Sequence, residues 1–372
     1  MRVGLNLVFL VPGETGGMEI YARELVARLA GRPRLELVAL VNRETAADGH
    51  GPWGQEVPMR VVDVHARNRL EWVRGEQLHV PRLAAEEGCE LIHSLASTAP
   101  LHSRARRITT IHDLNYKLVP EAHFGLRALG MRVLVPAAAR RSHRIIVDAA
   151  STRSDLVRHL GMPAAKIDVV ALGVSPRAPV APTGEAELRA RLGLGGAPVV
   201  LSVSAKRPHK NLMRLLDAVA LLPAAGRPAL VLPGYPTPHE AELRERAAAL
   251  GLRAVFPPWV SAADLEGLYA LADAFVFPSL AEGFGLPVLE AMTRGVPVAC
   301  SDRSSLPEVA GGAALLFDPC DPSAIAAALT RMLTDRAEAE RLRAAGRRRA
   351  EAFTWERTAE ETAASYRRAM DR

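Results

Sequence analysis

The chain has 372 residues, 49% of them apolar, which is core material for two domains. It holds no apolar run of 18 residues that would cross a membrane. Its three unpatterned cysteines, Cys89, Cys300 and Cys320, speak against a disulfide framework or a zinc site and fit a reducing, cytoplasmic setting. Of the net charge of +6, residues 1–173 carry +5 (23 Lys/Arg against 18 Asp/Glu), yet no nucleic-acid-binding motif accompanies it.

In chain order, Val3–Val11 reads as a buried first strand rather than a leader peptide, because no small-residue cleavage site precedes Pro12-Gly13. Met18–Leu29 is amphipathic at helical spacing, and Leu35–Val41 is a second strand. Leu91–Ser94, Arg107–Ile111 and Arg144–Asp148 continue the series with helices between them, the pattern of a doubly wound α/β domain. Residues 176–198 are rich in Pro and Gly and read as an interdomain linker with one short helix, Glu185–Leu192. Six further strands follow, at 198–204, 228–233, 253–256, 273–277, 296–300 and 313–317. Thr354 is placed to cap a last helix that runs to Arg372.

The strongest signal lies at residues 274–292. The apolar run Ala274–Phe277 leads into a Gly-rich turn and a helix opening near Leu286, with Pro287 in its first turn. Free N–H groups and the positive end of the helix dipole suit an anion there. Glu282 and Glu290 bracket the turn, and carboxylates beside an anion site make sense when their targets are adjacent hydroxyls. The segment thus points to a ligand that is both phosphate and sugar.

The spacing Glu282-x7-Glu290 within EGFGLPVLEAM resembles the motif of the retaining family 4 glycosyltransferases of GT-B fold, mannosyltransferase-like members above all. Leu201–Leu212, residues 259–319, Gly16-Gly17-Met-Glu and Thr110-Ile-His112-Asp-Leu are similar to the family too. The resemblance implies two Rossmann-like domains facing across a cleft. Residues 1–175 would form the acceptor domain and 176–354 the nucleotide-sugar domain, with the helix at 355–372 packing back on the first. It further implies that Lys206 and Lys210 bind the donor diphosphate, with Gly16 and Gly17 facing it. The N–H groups of Gly283, Phe284, Gly285 and Leu286 would hold sugar hydroxyls and phosphate. Glu290 would bind the ribose, Glu282 would steady the oxocarbenium-like transition state, and His112 would stand beside the donor sugar. Lys206 replaces a more usual arginine, and Arg207 is placed to share its role. Pro208 is expected to keep the segment extended, so that both ammonium groups converge on one anion. Tyr235, Trp259 and Val260 are candidate walls for the base. Asp113, Ser151 and Ser154 fit either the family's loops or helix capping.

The resemblance gives a metal-independent transfer of a sugar from a nucleotide diphosphate donor, GDP-mannose first, to an acceptor hydroxyl. No cofactor is expected: no metal-ligand spacing is present, and no G-x-G-x-x-G follows the first strand. A nucleotide-sugar epimerase or hydrolase, or a non-catalytic sugar-nucleotide-binding partner, are the alternatives. The clusters Arg104-Ala-Arg-Arg107 and Arg140-Arg-Ser-His-Arg144 fit solvated surface, an anionic acceptor, or peripheral contact with an anionic inner membrane face.

Overall fold

The structure, a computed structural model, describes residues 1–119, 125–176, 180–258 and 260–371. The chain divides into two compact units, one built from most of the chain up to Gly173 together with Thr354–Arg372, the other from Val174–Phe353.

The first unit contains β1 (Arg2–Leu7), α1 (Gly17–Leu29), β2 (Glu36–Val41), α2 (Arg43–Asp48), β3 (Met59–Val61), α3 (Arg69–Arg74), α4 (Val80–Glu86), β4 (Leu91–Ser94), β5 (Arg106–Thr110), α5 (Asn115–Leu118), α6 (Gly125–Arg141), β6 (Arg144–Val147), α7 (Ala150–Leu160) and β7 (Ile167–Val169). A π-helical turn, Gly75–His79, joins α3 to α4. The strands form one parallel sheet in the order β3-β2-β1-β4-β5-β6-β7. Two of them, β3 and β7, are three-residue edge strands that carry no apolar run and escape a reading of the sequence. The first strand stops at Leu7, where its pairing with Val41 ends. Val8 and Leu10 stay fully buried beyond it, which explains why the sequence reads as strand to Val11.

The second unit contains α8 (Glu185–Leu192), β8 (Val199–Leu201), α9 (Leu212–Ala220), β9 (Ala229–Val231), α10 (His239–Ala249), β10 (Ala254–Val255), α11 (Ala262–Leu271), β11 (Ala274–Phe277), α12 (Leu286–Thr293), β12 (Val298–Ser301), α13 (Leu306–Ala310), β13 (Leu315–Phe317), α14 (Pro322–Thr334) and α15 (Arg336–Ala350). Its parallel sheet runs β10-β9-β8-β11-β12-β13. Val200, Leu230, Val276 and Ala299 put their side chains into one core with Leu215, Leu216, Val219 and Leu329 from α9 and α14. Within residues 176–198, the helix α8 is not a free connector. Leu188 and Leu194 are buried, and Thr183 and α8 pack on α11. Residues 177–179 lie outside the described residues.

The last helix, α16 (Trp355–Met370), returns to the first unit and packs on α1, β5 and β6. Thr354 caps it, accepting from the Arg357 N–H at 3.2 Å. Trp355, Ser365 and Tyr366 are buried; Tyr366 shares a hydrogen bond of 2.7 Å with His93 Nδ1, and Ser365 donates to Asp168 at 2.6 Å.

Candidate active site

In the second unit the chain turns to opposite sides of the sheet from β8 and β11, and a crevice outside the strand C-termini at such a switch point is where open α/β sheets take ligands. The loops that follow β8 and β11 carry Lys206, Lys210, Glu282 and the glycine turn.

Lys210 Nζ donates to Glu282 Oε1 at 2.6 Å and lies 5.3 Å from the centre of the Phe277 ring. Both side chains are mostly shielded from water, at 17% and 12% exposure, so their attraction is less screened than at an open surface. The loop that positions Glu282 is pinned from below: Ser305 Oγ donates to the carbonyls of Glu282 and Phe284 at 3.1 and 2.7 Å. The Lys210 loop is fixed by its neighbour Asn211, whose buried amide donates to the carbonyls of Pro278 and Pro319.

Gly285 precedes α12 at φ 110°, and a Cβ there would stand 2.6 Å from Leu306 Cδ2, so both backbone and space require glycine. The N–H groups of Gly283, Phe284, Gly285 and Leu286 have no acceptor among the described residues. They and the positive end of α12 therefore remain available to an anion. Glu290, one turn into α12, accepts from Tyr269 Oη at 3.0 Å with Oε2. Burial raises the Glu290 carboxyl above its usual range, although the nearby Arg294 and the tyrosine hydroxyl pull it down. Arg294 is itself held by Glu266 and lies 4.7 Å from the centre of the Tyr269 ring.

The two lysines do not converge. Pro208–Lys210 is a single 3-10 turn rather than an extended stretch, since proline suits the first position of a helical turn. That turn separates the side chains. The Lys206 ammonium is fully buried and donates to the carbonyls of Gly234 (2.5 Å) and Pro257 (2.9 Å), with Glu240 Oε2 at 3.8 Å. Burial pulls its pKa down to about 8, partly offset by Glu240. Lys206 thus ties together the loops after β8, β9 and β10. Gly234 permits the close approach, because a Cβ there would meet the Ser204 carbonyl at 2.1 Å. Arg207 is half-buried, Tyr235 is 46% exposed and Val260 is half-buried; Trp259 lies outside the described residues.

In the first unit, Gly16 precedes α1 with φ 64°, and the N–H of Gly17 has no acceptor among the described residues. His112 follows β5 and is 12% exposed. Its Nδ1 lies 2.6 Å from Asp148 Oδ2, and its Nε2 lies 2.9 Å from the Leu95 carbonyl. The Leu95 carbonyl and an ionised Asp148 both accept, and a neutral imidazole carries only one N–H, so with Asp148 ionised the ring is an imidazolium. Burial opposes charge on both groups and lifts the Asp148 carboxyl. For His112 it is outweighed by the charge and hydrogen bond of Asp148, the Leu95 carbonyl and the charge of Asp113, and the pKa is raised. The other Asp148 oxygen, Oδ1, is buried with no partner among the described residues. The Tyr21 ring packs edge-on to His112 at 5.0 Å, and its hydroxyl bonds Thr110. Both ring nitrogens of His112 are therefore occupied, and the side chain is not poised to take a proton. Asp113 caps its own loop, accepting from Asn115 N–H. Among the described residues, Ser151 Oγ is buried without a hydrogen bond, and Ser154 Oγ donates to the Ala150 carbonyl.

Sequence reasoning passed over Asp148 as a mere strand end, although an acidic residue at the C-terminal end of the strand next to that of His112 was the available signal. It also missed Glu76 in the π-helical turn. That buried carboxyl accepts from Thr98 (2.9 Å), Asn6 (3.1 Å) and Gln77 (3.4 Å), and burial outweighs them and lifts it to about 7.

Comparison with known proteins settles the family. Residues 185–349 match the model for glycosyl transferases group 1, and residues 15–178 that for glycosyltransferase family 4. The chain is 35% identical over 273 residues to the O-antigen chain mannosyltransferase B of Escherichia coli, covering 72% of this chain and 71% of that one. The chain belongs to the family 4 glycosyltransferases of GT-B fold. This glycosyltransferase is also 30% identical to the D-inositol 3-phosphate glycosyltransferase of Streptomyces avermitilis, over 96% of its own length and 84% of the relative's. Its fold matches the sucrose-phosphate synthase of Thermosynechococcus elongatus with a TM-score of 0.79 and 23% identity, covering 100% and 99% of the two chains. Among the described residues of the glycosyltransferase, no helix is long and apolar enough to cross a membrane.

Proposed function

We propose that this glycosyltransferase moves a hexose from a nucleotide diphosphate donor, GDP-mannose first, to an acceptor hydroxyl with retention of configuration and without a divalent metal. The observation that carries the donor site is the 2.6 Å pair of Lys210 and Glu282 beside the free N–H groups of Gly283–Leu286. It joins a cation, a set of backbone donors and a carboxylate at one helix N-terminus, and each suits a different part of a sugar diphosphate. The likeness to a mannosyltransferase supports mannose as the sugar.

Chemically, the bond from the anomeric carbon to the diphosphate oxygen breaks and a bond to the acceptor oxygen forms on the same face. The acceptor proton passes to the departing diphosphate. Negative charge grows on the leaving group, where Lys210 and the α12 N-terminus would stabilise it. Positive charge grows at the anomeric centre, where Glu282 would face it once the diphosphate draws Lys210 away. Glu290 has one oxygen committed to Tyr269 and the other left for ribose hydroxyls. Lys206 acts through the loops it ties, and the diphosphate falls to Lys210. His112 contributes a fixed positive charge at the end of β5, with Gly16 and Gly17 at the start of α1. Lys210 and the α12 dipole would do the work that a metal ion does elsewhere. We place the reaction in the cytosol, where the free Cys89, Cys300 and Cys320 stay reduced.

A thermal-shift screen of GDP, UDP, dTDP and ADP, each alone and in excess EDTA, tests the donor reading. Binding to the folded state raises stability by RT ln(1 + [L]/Kd). The expected result is a rise with GDP above all, unchanged by EDTA. No rise with any nucleotide diphosphate overturns the donor site.

A further inference from the structure

β5 leads at its C-terminal end to His112, and at its other end it begins with Arg106 and Arg107. Around that starting end lies an open depression of about 510 Å³ lined by Arg82, His102, Ser103, Arg104, Arg107 and Arg141, with no carboxylate among the described residues of its lining. Some arginines elsewhere in this unit are paired with carboxylates, Arg23 with Glu19 and Asp48, Arg60 with Glu87 and Arg144 with Asp168. Here Arg104 and Arg141 are exposed and make no ion pair among the described residues. Arg82 alone has a carboxylate, the exposed Glu86 at 2.8 Å. Arg107 is half-buried; one of its terminal nitrogens donates to the Leu101 carbonyl, and its Nε is buried without a partner among the described residues.

Gathering these charges is unfavourable for the folded chain alone. Burial, and then the like charge of Arg141, lower the Arg107 pKa. The adjoining His143 is lowered by burial and by Arg106, Arg107 and Lys166. Folding alone would disperse such a cluster or pair it, whereas an anionic ligand offsets the repulsion.

We propose that this depression binds a phosphate group, at a site separate from sugar transfer. Guanidinium forks match phosphate oxygens in pairs. Ser103 Oγ, which accepts from the Ala105 N–H, keeps its own proton to donate. The strand between this site and His112 is five residues long, about 17 Å at ~3.3 Å per residue, so one small ligand does not span both ends. The phosphate would come from an anionic lipid headgroup or from a soluble phosphorylated molecule. The inference does not depend on the donor reading.

The test compares the wild type with Arg104→Ser/Arg141→Ser and with a control of equal charge loss, Arg336→Ser/Arg348→Ser, on the exposed face of α15. One arm is flotation with phosphatidylcholine vesicles with and without phosphatidylglycerol. The other is calorimetric titration of inorganic pyrophosphate in the presence of saturating GDP. A loss of vesicle binding of roughly 30-fold in the first variant only, from two arginines near an anionic surface, identifies the headgroup. A loss of pyrophosphate binding in that variant only identifies a soluble ligand. No loss in either arm, or equal losses in the control, overturns the proposal.

Discussion

Asp148 Oδ2 and His112 Nδ1 stand 2.6 Å apart, while the far nitrogen of the same ring faces the Leu95 carbonyl. The pair turns a histidine at a strand end into a fixed cation. Because the folded pKa of His112 is raised, the stability this pair contributes is fully present below the ordinary value of about 6.5 and is lost as pH rises through the raised value.

Asp148→Asn keeps an acceptor for the ring but removes the charge that sustains the imidazolium. The alkaline limb of kcat/KM should move to lower pH by about one unit, since one unit corresponds to about 1.4 kcal/mol of lost interaction. A histidine 15N NMR titration of the free protein should show the same displacement for His112. Equal loss of activity at every pH, with an unmoved titration, would reduce Asp148 to packing alone.

Lys210→Ala should weaken binding of a nucleoside diphosphate far more than that of the nucleoside, by roughly 1.5–3 kcal/mol for a charge-assisted contact to phosphate. Calorimetry with both ligands reads the difference. Lys206 serves as the contrast: its ammonium is occupied by the Gly234 and Pro257 carbonyls. Lys206→Met should therefore lower thermal stability before it lowers diphosphate affinity. Equal weakening of nucleoside and diphosphate in Lys210→Ala counts against the clamp.

Glu282 and Glu290 should fail differently. Glu290→Gln removes charge from the ribose contact, so the donor KM should rise. Glu282→Gln acts where positive charge develops only during reaction, so kcat should fall on the order of 100-fold with diphosphate affinity nearly intact. Steady-state kinetics on both variants decide, and loss of diphosphate binding in Glu282→Gln alone would exchange the roles.

Much of this fold can be read from apolar runs alone, because buried parallel strands such as Ala274–Phe277 are uninterrupted and bounded by turn residues. The edge strands β3 and β7 escape, since their residues face partly outward and their pairing depends on neighbours far along the chain. The glycine turn and the entry of α12 are local chemistry and are legible. The partners of Lys206, Lys210 and His112 are not, because they lie 28, 72 and 36 residues away in the chain. A periodicity fixes where an element runs, but not which distant side chain its loops will meet.

Glu76 is a second such case. Its folded pKa of about 7 exceeds the ordinary carboxyl value, so the folded state holds a proton that the unfolded state has lost. Stability should therefore fall as pH rises from about 4.5 to 7, by a few kcal/mol in all. Glu76→Gln retains an oxygen for Asn6 and Thr98 and should flatten that slope, making the variant more stable than the wild type at pH 8. Denaturant titrations at pH 5 and 8 measure it, and an unchanged slope would show that the carboxyl is not neutral in the fold.

The most direct measurement is real-time NMR of the anomeric proton with GDP-mannose and a hydroxyl acceptor in excess EDTA. The first product formed should carry the donor's α configuration, at a rate that chelation leaves unchanged. A β-configured first product, or transfer that begins only when a divalent ion is restored, would contradict retaining, metal-independent transfer.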